Sequence, residues 1–116
     1  MRTRNILLAP LLLAVLCGCQ PDTSNKPPEW HLADKTGCFQ CHITGKNRLG
    51  PAWQSVSDRY KNNPDAEAYL NNKIANGGGG AWISKEMPGY SEQLLTEANR
   101  KIIVKYIMTL QANADI

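Results

Sequence analysis

Cys38 and Cys41 stand three positions apart and His42 follows directly, in the run Cys38-Phe39-Gln40-Cys41-His42. Residues at that spacing lie about one helical turn apart, so both sulfurs face the same way. Two thiols so placed can add to neighbouring vinyl groups of one flat porphyrin, and the adjacent imidazole can ligate its iron. This is the attachment pattern of covalently bound haem c. Two other chemistries use paired cysteines. Structural zinc needs about four protein ligands, and only His31 is left to complete such a set. A thioredoxin-like pair belongs in a βαβ context, which this chain lacks. The motif therefore implies one haem c, with Cys38 and Cys41 as covalent anchors and His42 as the proximal iron ligand.

A sixth ligand must come from elsewhere, and the chain has three methionines. Met1 leaves with any leader, and Met108 falls on a C-terminal helical pattern where it reads as a packing residue. Met87 lies in Lys85-Glu86-Met87-Pro88-Gly89, between two helical patterns, where loop backbone is free to aim a side chain. Pro88 limits how Met87 can turn, and the glycine run from Gly77 to Gly80 lets the backbone approach a flat face. His31, or an open iron, remains the alternative. A thioether has no proton to lose and favours ferrous iron, so His/Met ligation raises the reduction potential. If protein fills both axial positions, no place is left for a substrate, which would imply electron transfer through an exposed haem edge.

The elements that must hold these residues read as helices. Pro28 suits a first helical turn, and Trp30, Leu32 and Ala33 give residues 29–35 an apolar side. A polar loop with Lys46, Asn47 and Arg48 leads to a helix over residues 51–61, where Trp53, Val56 and Tyr60 keep helical spacing. Asn63-Pro64-Asp65 reads as a helix start, with the helix running to Gly77. Ser91 opens a last helix with Leu94, Leu95, Ala98, Ile102, Tyr106 and Leu110 as its apolar stripe. No segment reads as a strand, so the expected fold class is all-α, four to five short helices around one cofactor.

The N-terminus carries Arg2 and Arg4, then an apolar run from Ile6 to Leu16 broken by Pro10. The run is far shorter than the ~20 residues of a spanning helix and fits a signal-peptide core. It ends in Leu16-Cys17-Gly18-Cys19, which resembles a bacterial lipobox, with cleavage after Gly18 and a lipid on Cys19. All four cysteines are then accounted for. The expected organisation is a signal peptide over 1–18, a lipidated terminus and Pro-rich tether over 19–28, and a haem domain over 29–116. The nine residues from Gln20 to Pro28 reach roughly 30 Å at full extension. Without Arg2 and Arg4 the basic and acidic residues nearly balance, which gives no reason to propose nucleic acid as a partner.

Together, Cys38-Phe39-Gln40-Cys41-His42, Leu49-Gly50-Pro51, Gly77-Gly78-Gly79-Gly80-Ala81-Trp82 and Met87-Pro88 resemble the small bacterial class I cytochromes c, over about residues 29 to 111. The resemblance implies that the N- and C-terminal helices cross near the haem edge. It implies that the Pro51 carbonyl accepts a hydrogen bond from the proximal imidazole, that Trp82 lies near a haem propionate, and that Met87 is the distal iron ligand. The chain departs from the pattern in two places. Glu86 stands where the family often has proline, and Ala33 stands near the usual position of an aromatic on the first helix, with Trp30 as its substitute.

The expected function is that of a monohaem c-type electron carrier, not an enzyme. It would work on the periplasmic side of a bacterial membrane, exchanging single electrons with a redox protein donor and acceptor and using no small-molecule substrate. Gln20, in place of the aspartate that retains many lipoproteins in the inner membrane, favours the outer one; a soluble periplasmic protein is the alternative. Lys46, Arg48 and Lys85, in loops expected to flank the haem, would steer an acidic partner. Two other functional classes fit the motif: a haem enzyme or gas sensor with an open or labile sixth position, and a dedicated electron-transfer subunit of one oxidoreductase.

Overall fold

The computed structural model describes residues 18, 20–82 and 85–110; the expected leader up to residue 17 and Cys19 lie outside the described residues. Helix α1 spans Pro28–Lys35, opened by its proline and with Glu29 and Lys35 at the ends that suit the helix dipole. One turn of 3-10 helix, Cys38–Gln40, follows Gly37. Helices α2 (Trp53–Tyr60), α3 (Ala66–Asn76) and α4 (Glu97–Thr109) complete the described fold. Among the described residues there is no strand, only one isolated antiparallel bridge between Gly78 and Met87.

Two helices start later than their sequence signals. Pro51 and Ala52 precede α2 in extended backbone, because the Ala52 N–H is held by Asn47 Oδ1 at 2.8 Å. The Asn63 side chain accepts from the Asp65 N–H at 2.9 Å. Its capping chemistry is thus spent on a turn, and α3 begins at Ala66.

The expectation for the last helix needs a larger correction. Ser91 does not open it. The Ser91 carbonyl accepts from the N–H groups of both Leu94 and Leu95 at 2.9 Å, which closes residues 91–95 into a turn. Thr96 is the cap instead, its hydroxyl accepting from the Asn99 N–H at 3.3 Å while a Glu92 carboxylate oxygen takes the Glu97 N–H at 3.0 Å. The expected stripe is also displaced, with Leu94 70% and Ile102 42% exposed. The face turned inward carries Arg100, Ile103, Val104 and Ile107. Ile102-Ile103-Val104 is apolar on consecutive positions and so spans two helix faces. Periodicity alone does not choose between them; burying Ile103, Val104 and Ile107 together gives the wider apolar stripe.

Helix α4 packs on α1, α2 and α3 and is the hub of the fold. The core joins Ala33 of α1, Trp53 and Val56 of α2, Leu70 and Ile74 of α3, Leu95, and the three inward aliphatics of α4. Ser57 of α2, fully buried, donates to the Met108 carbonyl at 3.1 Å and ties α2 to the far end of α4. Ala33 is also fully buried. The aromatic partner of the cysteine motif comes from Trp30, whose ring stacks on Phe39 at 5.0 Å. Phe39 in turn meets Trp53, and Trp53 meets Tyr106, at 4.9 and 6.1 Å. Ala33→Leu is therefore expected to overpack the core and destabilise the protein by about 1–3 kcal/mol, measured by denaturant unfolding of the mature protein.

Candidate functional site

The cysteine motif is shaped by backbone bonds to one carbonyl: the Cys41 and His42 N–H groups both donate to Cys38 O, at 3.2 and 3.0 Å. Both cysteines are half-buried free thiols. Burial pushes the Cys38 thiol up to about 11, with Cys41 nearby adding to the push. Reactive redox pairs are the opposite case, with thiols held low. The described residues do not bring three or more His, Cys, Asp or Glu side chains together as a metal set.

His42 is fixed from two sides. Its Nδ1 lies 2.8 Å from the Pro51 carbonyl oxygen. A carbonyl only accepts, so Nδ1 carries a proton and donates, and in the neutral ring Nε2 keeps its lone pair. The Gly50 backbone lies against the ring: a Cβ at Gly50 would stand 2.6 Å from His42 Cε1. The Gly50 N–H donates to the Cys41 carbonyl at 2.9 Å, which brings the Gly-Pro loop back onto the motif.

Met87 comes from the other side of the chain. Its N–H and carbonyl pair with those of Gly78, at 3.2 and 2.8 Å. The Tyr90 N–H donates to the Ile74 carbonyl at 2.9 Å, docking the loop on the end of α3. Gly77, at the C-terminus of α3, has φ +67°, and a side chain there would overlap the Met87 carbonyl oxygen. The four-glycine run is therefore a close-packed seat for the methionine loop. Lys73 of α3 steadies that run from below, its Nζ donating to the Gly79 carbonyl at 2.6 Å.

One mainly apolar cleft collects these parts. Cys38, Cys41, His42, Pro51, Trp82 and Met87 all line it, between the Gly-Pro loop, α3 and the inward face of α4. Its atom-free space is about 1260 Å³ with the open mouth included. His31 does not line this cleft; its ring stands edge-on to Trp30 at 5.2 Å. Met108 packs at the margin of the core and is also absent from the lining. Trp82 is half-buried, with the Arg59 guanidinium 4.9 Å over its ring. Lys73 and Lys85 add positive charge to the wall and Glu86 adds one negative group. These residues fit a haem: two thiols beside one imidazole, a thioether in the same cleft, apolar walls, and cationic groups suited to propionates.

Three residues contribute in ways the sequence reading did not give them. Asn47 holds the Gly-Pro loop through Ala52. Gly77 seats the methionine loop. Tyr90 also lines the cleft, and burial, with the two cysteines nearby, raises its phenol above the ordinary value. Asn47 and Gly77 carry turn chemistry that could have been read locally, whereas nothing in the pattern marks Tyr90.

The family model for cytochrome c matches residues 31–111. Cytochrome c-552 of Hydrogenobacter thermophilus is 36% identical over 80 residues, covering 69% of this chain and 79% of that protein. Cytochrome c-552 of Nitrosomonas europaea is 32% identical, and its crystal structure superposes with a TM-score of 0.65 over 71% of this chain and 99% of its own. The class 1 cytochrome MtoD from Sideroxydans lithotrophicus is 26% identical with a TM-score of 0.62, covering 72% of this chain and 94% of its own. The seat of the methionine loop can be probed directly. Gly77→Ala forces a side chain into a positive-φ position against backbone and is expected to cost more than about 1 kcal/mol. Native-state hydrogen exchange at the Met87 amide should accelerate accordingly.

Proposed function

The chain belongs to the cytochrome c family, with its all-α fold and one covalently attached haem c, and from that premise we propose a single-electron carrier whose iron is closed on both sides by His42 and Met87. In this reading Cys38 and Cys41 hold the haem by thioether bonds, Pro51 supports His42 from behind, and Trp82 lies near a haem propionate. The observation that carries the proposal is the convergence of His42 and Met87 on one cleft while His31 and Met108 stay out of it. When bound, the haem supplies a one-electron iron couple.

The residues of the chain do the rest. The Pro51 carbonyl holds the proton of His42 at Nδ1, so that Nε2 is the ligating atom, and a hydrogen bond at that position raises the basicity of the ligand. The Met87 thioether favours the ferrous state and raises the potential. The apolar wall from Val56, Leu70, Ile74, Ile103 and Ile107 excludes water from the cofactor's faces. Leu49, 45% exposed, belongs to the cleft lining and forms an apolar lip at its mouth. Lys46 and Arg48 in the same loop are exposed. An apolar lip with basic neighbours suits brief docking of an acidic redox partner, in which the charges raise the encounter rate more than the lifetime.

The leader motif supports export to the periplasmic side of a bacterial membrane and a lipid on Cys19. The tether would confine diffusion to the membrane surface and raise the effective concentration of membrane-bound donors and acceptors. Two substitutions test these readings separately. Met87→Ala should keep the haem attached but lower the potential by at least about 59 mV, tenfold for a one-electron couple, as measured by spectroelectrochemistry; an unchanged potential would contradict Met87 ligation. Cys19→Ala should move the protein from the membrane to the soluble fraction. Its retention on membranes would mean that Cys19 is not the anchor.

A further inference from the structure

Arg100 is a charged residue in the first turn of α4, 7% exposed, on the face where every other inward residue is aliphatic. A buried guanidinium persists only where its donors are met, and here they are. Its Nη1 donates to the Leu95 carbonyl at 2.6 Å and reaches the Tyr90 carbonyl at 3.4 Å. Its Nε donates to Asn71 Oδ1 on α3 at 3.2 Å, and its Nη2 pairs with a Glu92 carboxylate oxygen at 3.2 Å. One side chain thus fastens three points of the segment that comes after Met87 and joins them to α3 and α4.

The methionine loop has two fastenings, one made by Met87 itself and one that follows it. The Met87 N–H and carbonyl form the two-bond bridge to Gly78. On the C-terminal side the Tyr90 N–H is held by α3 and the Tyr90 carbonyl by Arg100. Glu92 does double duty, since its carboxylate pairs with Arg100 and caps the Glu97 N–H. We propose that Arg100 is a positioning residue for the electron carrier: by clamping residues 90–95 to α3 and α4 it keeps Met87 from swinging away and so closes the sixth position of the iron. The inference rests on Met87 being the distal ligand. The planar fork matters as much as the charge, because a lysine ammonium does not reach carbonyl, amide and carboxylate acceptors in these directions at once.

The experiment compares the mature haem protein with Arg100→Lys, Asn71→Ala and Ser57→Ala. The last removes a buried hydrogen bond between α2 and α4 away from the loop and serves as the control for general destabilisation. Imidazole binding to ferric protein reads the sixth position, and amide exchange at Gly78 and Met87 reads the loop. Arg100→Lys should raise the imidazole association constant by at least about tenfold, the scale of one lost charge-assisted hydrogen bond, with faster exchange at both amides. Asn71→Ala should shift both in the same direction by less, and it carries the test alone if Arg100→Lys does not mature. Ser57→Ala should change neither beyond what its lowered global stability accounts for. An Arg100→Lys or Asn71→Ala protein no different from the control makes Arg100 an ordinary structural residue and overturns the inference. Parent protein that binds imidazole as readily as a Met87→Ala protein overturns the Met87 reading itself, and the inference with it.

Discussion

Two side chains distant in sequence, His42 and Met87, are brought to one cleft, and in the proposed carrier the rest of the structure answers to that requirement. His42 is positioned locally. Its motif is one short turn, and the Gly-Pro loop returns at once to fix its ring. Met87 has no such local frame. Its place is set by α3, whose C-terminus seats the loop; by the bridge to Gly78; and by α4, whose buried arginine holds residues 90–95. The core of α4 serves both ends, packing α1 beside the motif and α3 beside the methionine loop.

The same division governs how much of this could be read from the chain. The haem c cofactor was legible because five consecutive residues carry the whole pattern. Met87 stood out as the candidate for the other side because two rivals could be set aside and because Pro88 and the upstream glycines marked an unusual loop, and the structure brings it into the same cleft as His42. The onset of α4 was not. Ser91 is as good a capping residue as Thr96 by composition, and the choice fell to Glu92, which reaches the Glu97 N–H only once the turn at 91–95 has formed. The face of α4 was misread because three consecutive aliphatics satisfy two registers. Arg100 was invisible for a related reason: a charge in a helix normally reads as solvated surface, and only the tertiary fold supplies the four acceptors that let it lie inside.

A closed iron and a well-seated loop are what an outer-sphere carrier requires, because electron transfer is fastest when the ligand set changes little between oxidation states. The same features work against substrate binding. In the proposed carrier the exchange of electrons would fall to the edge of the cleft, at the lip formed by Leu49 and the basic loop beside it. Were residues 1–18 removed as a leader, the near-balance of the remaining charges would leave such local groups, not bulk electrostatics, to select a partner.

Optical spectra of the native mature protein, oxidised and then reduced under carbon monoxide, decide whether the iron is closed. Ligation by both His42 and Met87 predicts the weak far-red band of a ferric iron–methionine bond and no binding of carbon monoxide to the reduced form. A spectrum without that band, together with ready carbon monoxide binding, would show an open or labile sixth position and would contradict the closed-site carrier.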